Sequence, residues 1–128
     1  MPETRKTAAA KLRALEGQVH QFTVPGEMTG LLQRVRGNKS KRTTGVLVKT
    51  GPLHVQVIAF DEGGELKDDG VDGPYTLQCL IGRVVVSLQG REHRMSTGDL
   101  LVVDAGVSHD VTAQELSALL FTVAATEG

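Results

Sequence analysis

From Thr43 to the C-terminus, apolar residues come in short runs broken by Gly, Pro and Asp turn residues, the pattern of strands rather than helices. Thr43 to Lys49 and Leu53 to Phe60 flank Thr50-Gly51-Pro52 and predict a hairpin. Tyr75 to Leu80 and Arg83 to Leu88 flank Ile81-Gly82 and predict a second hairpin, after which Gln89-Gly90 turns the chain into Glu92 to Met95. Ser108 to Ala113 and Leu116 to Ala124 complete the set. About eight short strands with frequent turns predict an all-β sandwich or barrel.

One stretch organises the rest. Thr97 to Val111, TGDLLVVDAGVSHDV, reads as a turn, an apolar strand from Leu100 to Val103, a second turn, and a strand start carrying His109. Gly98 and Gly106 stand where the chain reverses and where positive φ is cheap only for glycine. Four apolar residues in succession, like Val84-Val85-Val86, predict a strand covered on both faces, by the barrel interior on one side and by a second sheet, a helix or another subunit on the other.

Ahead of the strands the period lengthens. Met28, Leu31, Leu32 and Val35 form one stripe and predict a helix over about Gly26 to Arg36, ended by Gly37 and packed on the outside of a sheet. Ala8, Leu12 and Leu15 trace a weaker stripe over about Lys6 to Glu16, either a short amphipathic helix or an arm that becomes helical only against a partner. The resulting division is an N-terminal arm and helical segment over residues 1–42, packing on a β-barrel over residues 43–128.

Composition narrows the function classes. The 128 residues suffice for one domain with a real core; 40% are apolar and 23% charged, ordinary for a soluble globular chain. A formal charge of -1 gives no reason to expect nucleic acid or an anionic membrane as partner. One cysteine forms no internal disulfide, no long apolar span is present, and the N-terminus lacks a secretory core, so a cytoplasmic location is expected. A basic run (Arg34, Arg36, Lys39, Lys41, Arg42) reads as a solvated connection. An acidic run (Asp61, Glu62, Glu65, Asp68, Asp69, Asp72) has the opposite sign, and the two are candidates to meet across a dimer interface.

Gly98, Gly106 and His109 follow the spacing G-x5-P-x-G-x2-H, with Asp104 in place of proline, and so resemble the second signature of the small cupins. Upstream, Gly63, Asp69, Val71, Tyr75 and Gly82 fall where the first signature, G-x5-H-x-H-x3-E-x6-G, places glycine, two histidines, glutamate and glycine. The resemblance spans about Thr43 to Val123. It implies a double-stranded β-helix, or jelly-roll barrel, with one or two short N-terminal helices, and a homodimer. Both glycines are kept, but the three metal-ligand positions hold Asp69, Val71 and Tyr75.

The candidate site residues follow from that alignment and from alternation. With Tyr75 inward, Leu77 and Cys79 also face in, as do Val107, His109 and Val111 together. The expected lining is an imidazole, a phenol, a thiol and aliphatic groups, the makeup of a small-molecule pocket. His109 offers a ligand contact or general base, or else a buried neutral ring bonded to a backbone carbonyl. Tyr75 donates either to a ligand oxygen or to backbone, and Cys79 is a nucleophile only if something stabilises its thiolate. His54 is a further candidate, although periodicity leaves open whether His54-Gln56-Ile58 or Val55-Val57-Ala59 faces inward. His20 and His93 are expected to face solvent.

Two functions are compatible with these residues. One is a non-catalytic small-molecule-binding or sensing domain with no cofactor, its ligand held in the barrel at His109, Tyr75, Cys79, His54 and Asp69. The alternative is a metal-dependent enzyme of dioxygenase, isomerase or decarboxylase type, with His109, Asp69 and His54 as an unusual ligand set around one divalent transition metal.

Overall fold

A computed structural model describes residues 19–68 and 72–125. The arm at Lys6 to Glu16 and the candidate ligand Asp69 lie outside the described residues.

Helix α1, Val24–Val35, starts two residues earlier than the apolar stripe alone predicts, because Pro25 supplies a first-turn residue that needs no hydrogen-bond donor. Nine strands follow among the described residues: β1 Arg42–Thr50, β2 Leu53–Phe60, β3 Glu65–Asp68, β4 Tyr75–Ile81, β5 Arg83–Leu88, β6 Arg91–Ser96, β7 Leu100–Val103, β8 His109–Ala113 and β9 Ser117–Ala124. All pairings are antiparallel, and they build a five-stranded sheet in the order β1-β2-β9-β4-β7 and a four-stranded sheet in the order β3-β8-β5-β6. This is the expected all-β jelly roll.

Alternation decides the packing. On β4, Tyr75, Leu77 and Cys79 are buried while Thr76, Gln78 and Leu80 are less so; on β9, Leu119, Phe121 and Val123 point the same way. Together with Val84 and Val86 of β5 and Val111 of β8 they fill the space between the sheets. A second apolar cluster lies outside. There Leu31 and Val35 of α1 press on Val48, Val57 and Ala59, so α1 covers the β1–β2–β9 part of the larger sheet. Gly45 lets the helix come close: a methyl group in its place would approach Leu31 Cδ1 to 3.2 Å.

Four expectations need correction. Tyr75–Ile81 and Arg83–Leu88 are not a hairpin. They belong to different sheets, and Ile81-Gly82 is the corner between them, with Gly82 at φ +94° packed against Leu116 and Ser117. β3 falls inside the acidic run, where charges mask a short edge strand whose Leu66 pairs with Val111 and packs on the core. β7 is covered on one face only: Val103 is buried, but Leu100 and Val102 are 55% and 72% exposed. His20 and His93 are half-buried rather than solvent-facing, and the His20 ring lies 6.3 Å from that of Phe22.

The oppositely charged runs adjoin within one chain. Asp61 N–H donates to the Lys41 carbonyl at 3.0 Å, and Arg42 Nη1 donates to the Glu65 carbonyl at 3.1 Å. Both contacts are to backbone carbonyls, so they bring the two runs together without pairing their charges. Among the described residues no helix is long and apolar enough to cross a membrane.

Candidate functional site

The organising stretch turns at Gly98 (φ +94°) between β6 and β7, and then at Gly106 (φ +82°) in a corner that carries the chain from β7 in one sheet to β8 in the other. It delivers His109, the first residue of β8, to the same end of the barrel as Tyr75, the first residue of β4. Both are buried, at 1% and 2% exposure. Phe121 of β9 completes a ring cluster: the Tyr75–His109, Tyr75–Phe121 and His109–Phe121 centroids lie 5.1, 5.5 and 5.7 Å apart, and both contacts of Phe121 are edge-on. Edge-on contact suits aromatic quadrupoles.

Hydrogen bonding fixes the imidazole. Tyr75 Oη lies 2.8 Å from the Val107 carbonyl oxygen and 2.9 Å from His109 Nδ1. A carbonyl only accepts, so the phenol donates its one proton to Val107 and accepts from Nδ1–H. Neutral His109 is thus the Nδ1–H tautomer, and its Nε2, itself buried, presents a lone pair. The partner of Nδ1 is the Tyr75 hydroxyl rather than the backbone carbonyl that sequence suggests.

Cys79 shares the interior but not this end. Four residues along β4 from Tyr75, it lies roughly 13 Å away at the strand rise. Its Sγ is 3.5 Å from the carbonyls of Ile81 and Gly82, either of which can accept its proton. Burial, then the charge of Asp99 and more weakly that of Glu115, push its pKa above the ordinary thiol range, against a backbone hydrogen bond at Ile81. It is therefore a neutral thiol, without the thiolate that nucleophilic chemistry requires.

The orientation of His54 is now settled. β2 pairs with β9 without a register break, and Ile58 and Phe60 lie in the inter-sheet core while Val55, Val57 and Ala59 face α1, so His54 and Gln56 share the inner face. His54 pairs with Val123, which in turn pairs with Tyr75. Two inter-strand spacings, roughly 10 Å, separate His54 from Tyr75. In place of a joint site with His109, His54 borders its own open hollow of about 230 Å³, lined with Val46, Lys49, Val55 and Gln56.

Among the described residues these do not assemble a site for a divalent transition metal; Asp69, the third candidate ligand, lies outside them. Such an ion needs three or four donors within about 2 Å of one point, and among the described residues no group of three or more His, Cys, Asp or Glu side chains is placed to supply them. The phenol at the glutamate position already holds Val107 and His109, and Val123 stands between His54 and Tyr75.

Sequence reasoning missed Phe121, Lys49 and Gln56. Alternation along β9 places Phe121 between the inward Leu119 and Val123 and could have found it. Lys49 follows from a two-residue turn, Gly51-Pro52, which sets it opposite His54. Gln56 faces Val46 only because of an irregularity between Val46 and Val48, which no local sequence signal announces.

No protein-family model matches the chain, and no curated protein matches it. Solved structures do. A conserved protein of unknown function from Streptococcus pyogenes is 18% identical with a TM-score of 0.66, over 91% of this chain and 96% of that one. A cupin superfamily protein from Desulfitobacterium hafniense is 14% identical with a TM-score of 0.67, over 89% and 97%. Salicylate 1,2-dioxygenase from Pseudaminobacter salicylatoxidans is 16% identical with a TM-score of 0.67, over 77% of this chain but only 33% of that enzyme. The fold of this chain is that of a small cupin domain, and its neighbours include both an enzyme and a protein of unknown function.

Proposed function

We propose that this protein is a non-catalytic cupin-fold domain that binds or senses a small molecule at the His109–Tyr75 end of its barrel. The observation that carries this reading is the Tyr75 hydroxyl, engaged at once by Val107 and by His109 Nδ1. A phenol so engaged holds the imidazole in one orientation and one tautomer, which suits recognition of a hydrogen-bond donor at Nε2. Cys79 offers no nucleophile, and the described donors do not assemble a metal cage.

The test is analysis of the protein purified without an affinity tag. Mass spectrometry of a denaturing extract is expected to show a retained organic molecule, or else a ligand recovered from a library, that is lost with His109→Ala. Stoichiometric iron, manganese, nickel or zinc that disappears with the same substitution would overturn the reading in favour of the metal-dependent enzyme. A cytoplasmic location belongs to this proposal, as expected for a chain with one buried cysteine.

A homodimer belongs to it as well, with β7 as the edge that a second copy covers. β6 carries Arg91, Glu92, His93 and Arg94, β3 is short and charged, and β1 is irregular and ends near Lys49. Each of these devices discourages edge pairing. β7 is Leu-Leu-Val-Val, with Leu100 and Val102 exposed on the side away from the core.

A further inference from the structure

We infer that the hollow on the inner face of the β1–β2 hairpin is a subsite for a small organic monocarboxylate, held by Lys49, His54 and Gln56 beside Val46. The inference deepens the binding reading above and rests on it only in expecting a small-molecule ligand. Register builds the site. Lys49 stands directly opposite His54, and Gln56 follows two residues later on the same face, opposite Val46. Directly opposed side chains begin about 5 Å apart and the next one on the face about 7 Å along, close enough for three side chains to converge on one carboxylate.

The chemistry of the lining selects the ligand. Each polar side chain there can donate a proton: the Lys49 ammonium, an imidazole N–H of His54 and the Gln56 amide. Among the described residues no carboxylate lines the hollow, so none of them competes within it for the ammonium. Among the described residues, none of the three side chains is engaged in a hydrogen bond or ion pair. A cationic ligand would be repelled by the Lys49 ammonium, and one permanent positive charge matches a monoanion better than a doubly charged phosphate. Val46, opposite Gln56, supplies apolar surface for a hydrocarbon body. At about 230 Å³ the open hollow lies below the roughly 300–1,000 Å³ of sites for drug-sized ligands, so the part of the ligand seated in it is about the size of a single ring or a short branched chain.

Nuclear magnetic resonance titration of the full chain with benzoate, with benzyl alcohol as the neutral analogue and inorganic phosphate as the bare anion, tests the assignment. Benzoate is expected to shift the His54 ring and the Lys49 and Gln56 signals saturably, and the other two probes to leave them in place. Lys49→Met should weaken benzoate about tenfold or more, the effect of losing a charge-assisted contact, and Lys49→Arg should retain most of the affinity. Both replace an exposed side chain, so an unchanged melting temperature will confirm that they fold. Shifts confined to Tyr75, His109 and Phe121 would overturn this inference while leaving a barrel ligand intact. Equal response to benzyl alcohol or phosphate, indifference to Lys49→Met, or no response to benzoate would each overturn it too.

Discussion

Replacing Tyr75 by Phe removes one oxygen and nothing else from the ring cluster, so it isolates the hydrogen bonds that fix His109. Two partners lose their contact: the Val107 carbonyl at 2.8 Å and His109 Nδ1 at 2.9 Å. A buried polar group left unsatisfied costs about 1–3 kcal/mol. His109, at 1% exposure, bears that cost in full, because moving its proton to Nε2 only exchanges an unsatisfied donor for an unsatisfied acceptor at Nδ1. Val107 is half-buried, and its carbonyl can turn to water at smaller cost. The sum is a loss of roughly 2–3 kcal/mol, offset in part because the phenol oxygen no longer has to be buried. In a domain of this size that is a fall of about 6–10 °C in melting temperature. Urea unfolding followed by circular dichroism measures it. The slope with denaturant should stay constant while the midpoint falls. In a His109→Leu background the same replacement should cost much less, since one of its two partners is already gone. Nitrogen chemical shifts of the His109 ring provide the second readout, with the wild type expected as the Nδ1–H tautomer. A Tyr75→Phe protein within about 0.5 kcal/mol of the wild type, or a wild-type ring protonated at Nε2 alone, would refute the reasoning.

Cys79 should resist thiol reagents near neutral pH in the native state and react promptly in denaturant. Its raised folded-state pKa adds stability that is complete below the unfolded thiol pKa and disappears as pH climbs through the higher folded value, so stability should decline in alkaline solution and decline less in Cys79→Ala. Rapid labelling of the folded protein at neutral pH would contradict this. Gly82→Ala should cost about 3 kcal/mol or more in equilibrium unfolding, because it combines φ +94° with a methyl group 2.6 Å from the Leu116 carbonyl oxygen; a loss below about 1 kcal/mol would show that the corner can move. Light scattering should give twice the chain mass for the wild type and the single-chain mass for Leu100→Lys/Val102→Lys, with native circular dichroism in both; a wild type that is monomeric at micromolar concentration would remove the β7 interface.

What was legible in the sequence was whatever alternation and turn chemistry encode locally. The inward Tyr75-Leu77-Cys79 series, the β5–β6 hairpin at Gln89-Gly90 and the glycine corner before His109 all follow from side-chain period and positive φ. Sheet membership was not legible. A two-residue turn such as Ile81-Gly82 looks the same whether it closes a hairpin or bends a chain between sheets, and here the decision lies in β9, which claims the hydrogen-bonding edge of β4 from more than thirty residues away. β3 was hidden for another reason. Glu65-Leu66-Lys67-Asp68 puts a single apolar residue inward, as an edge strand can, and charge patterning outweighed it. At the site, alternation placed Tyr75 and His109 in the interior but could say nothing of the partner each would choose.

The pairing of those two residues bears on how a jelly roll closes its mouth. Where the resemblance to small cupins sets a glutamate, this chain has Tyr75, which is bulkier, is neutral at ordinary pH and carries one oxygen. A carboxylate buried there would need a cation or several donors to offset its desolvation. The phenol needs one acceptor and finds it in Val107, and the hydroxyl still has a lone pair for Nδ1–H. The ring then takes up volume, edge-on to Phe121 and tilted 49° against His109, so packing supplies the rigidity that coordination would otherwise provide. A single substitution pattern thus accounts for both the order of the imidazole and its tautomer. The same reasoning says that restoring a carboxylate, by Tyr75→Glu, should lower stability by several kcal/mol near neutral pH, because it strips Val107 of its donor and buries an anion between Phe121 and Val103. Such a variant should regain stability as the carboxyl group protonates in acid, and a protein whose unfolding midpoint is unaffected between pH 8 and about pH 5 would show that a carboxylate at this position carries no burial penalty.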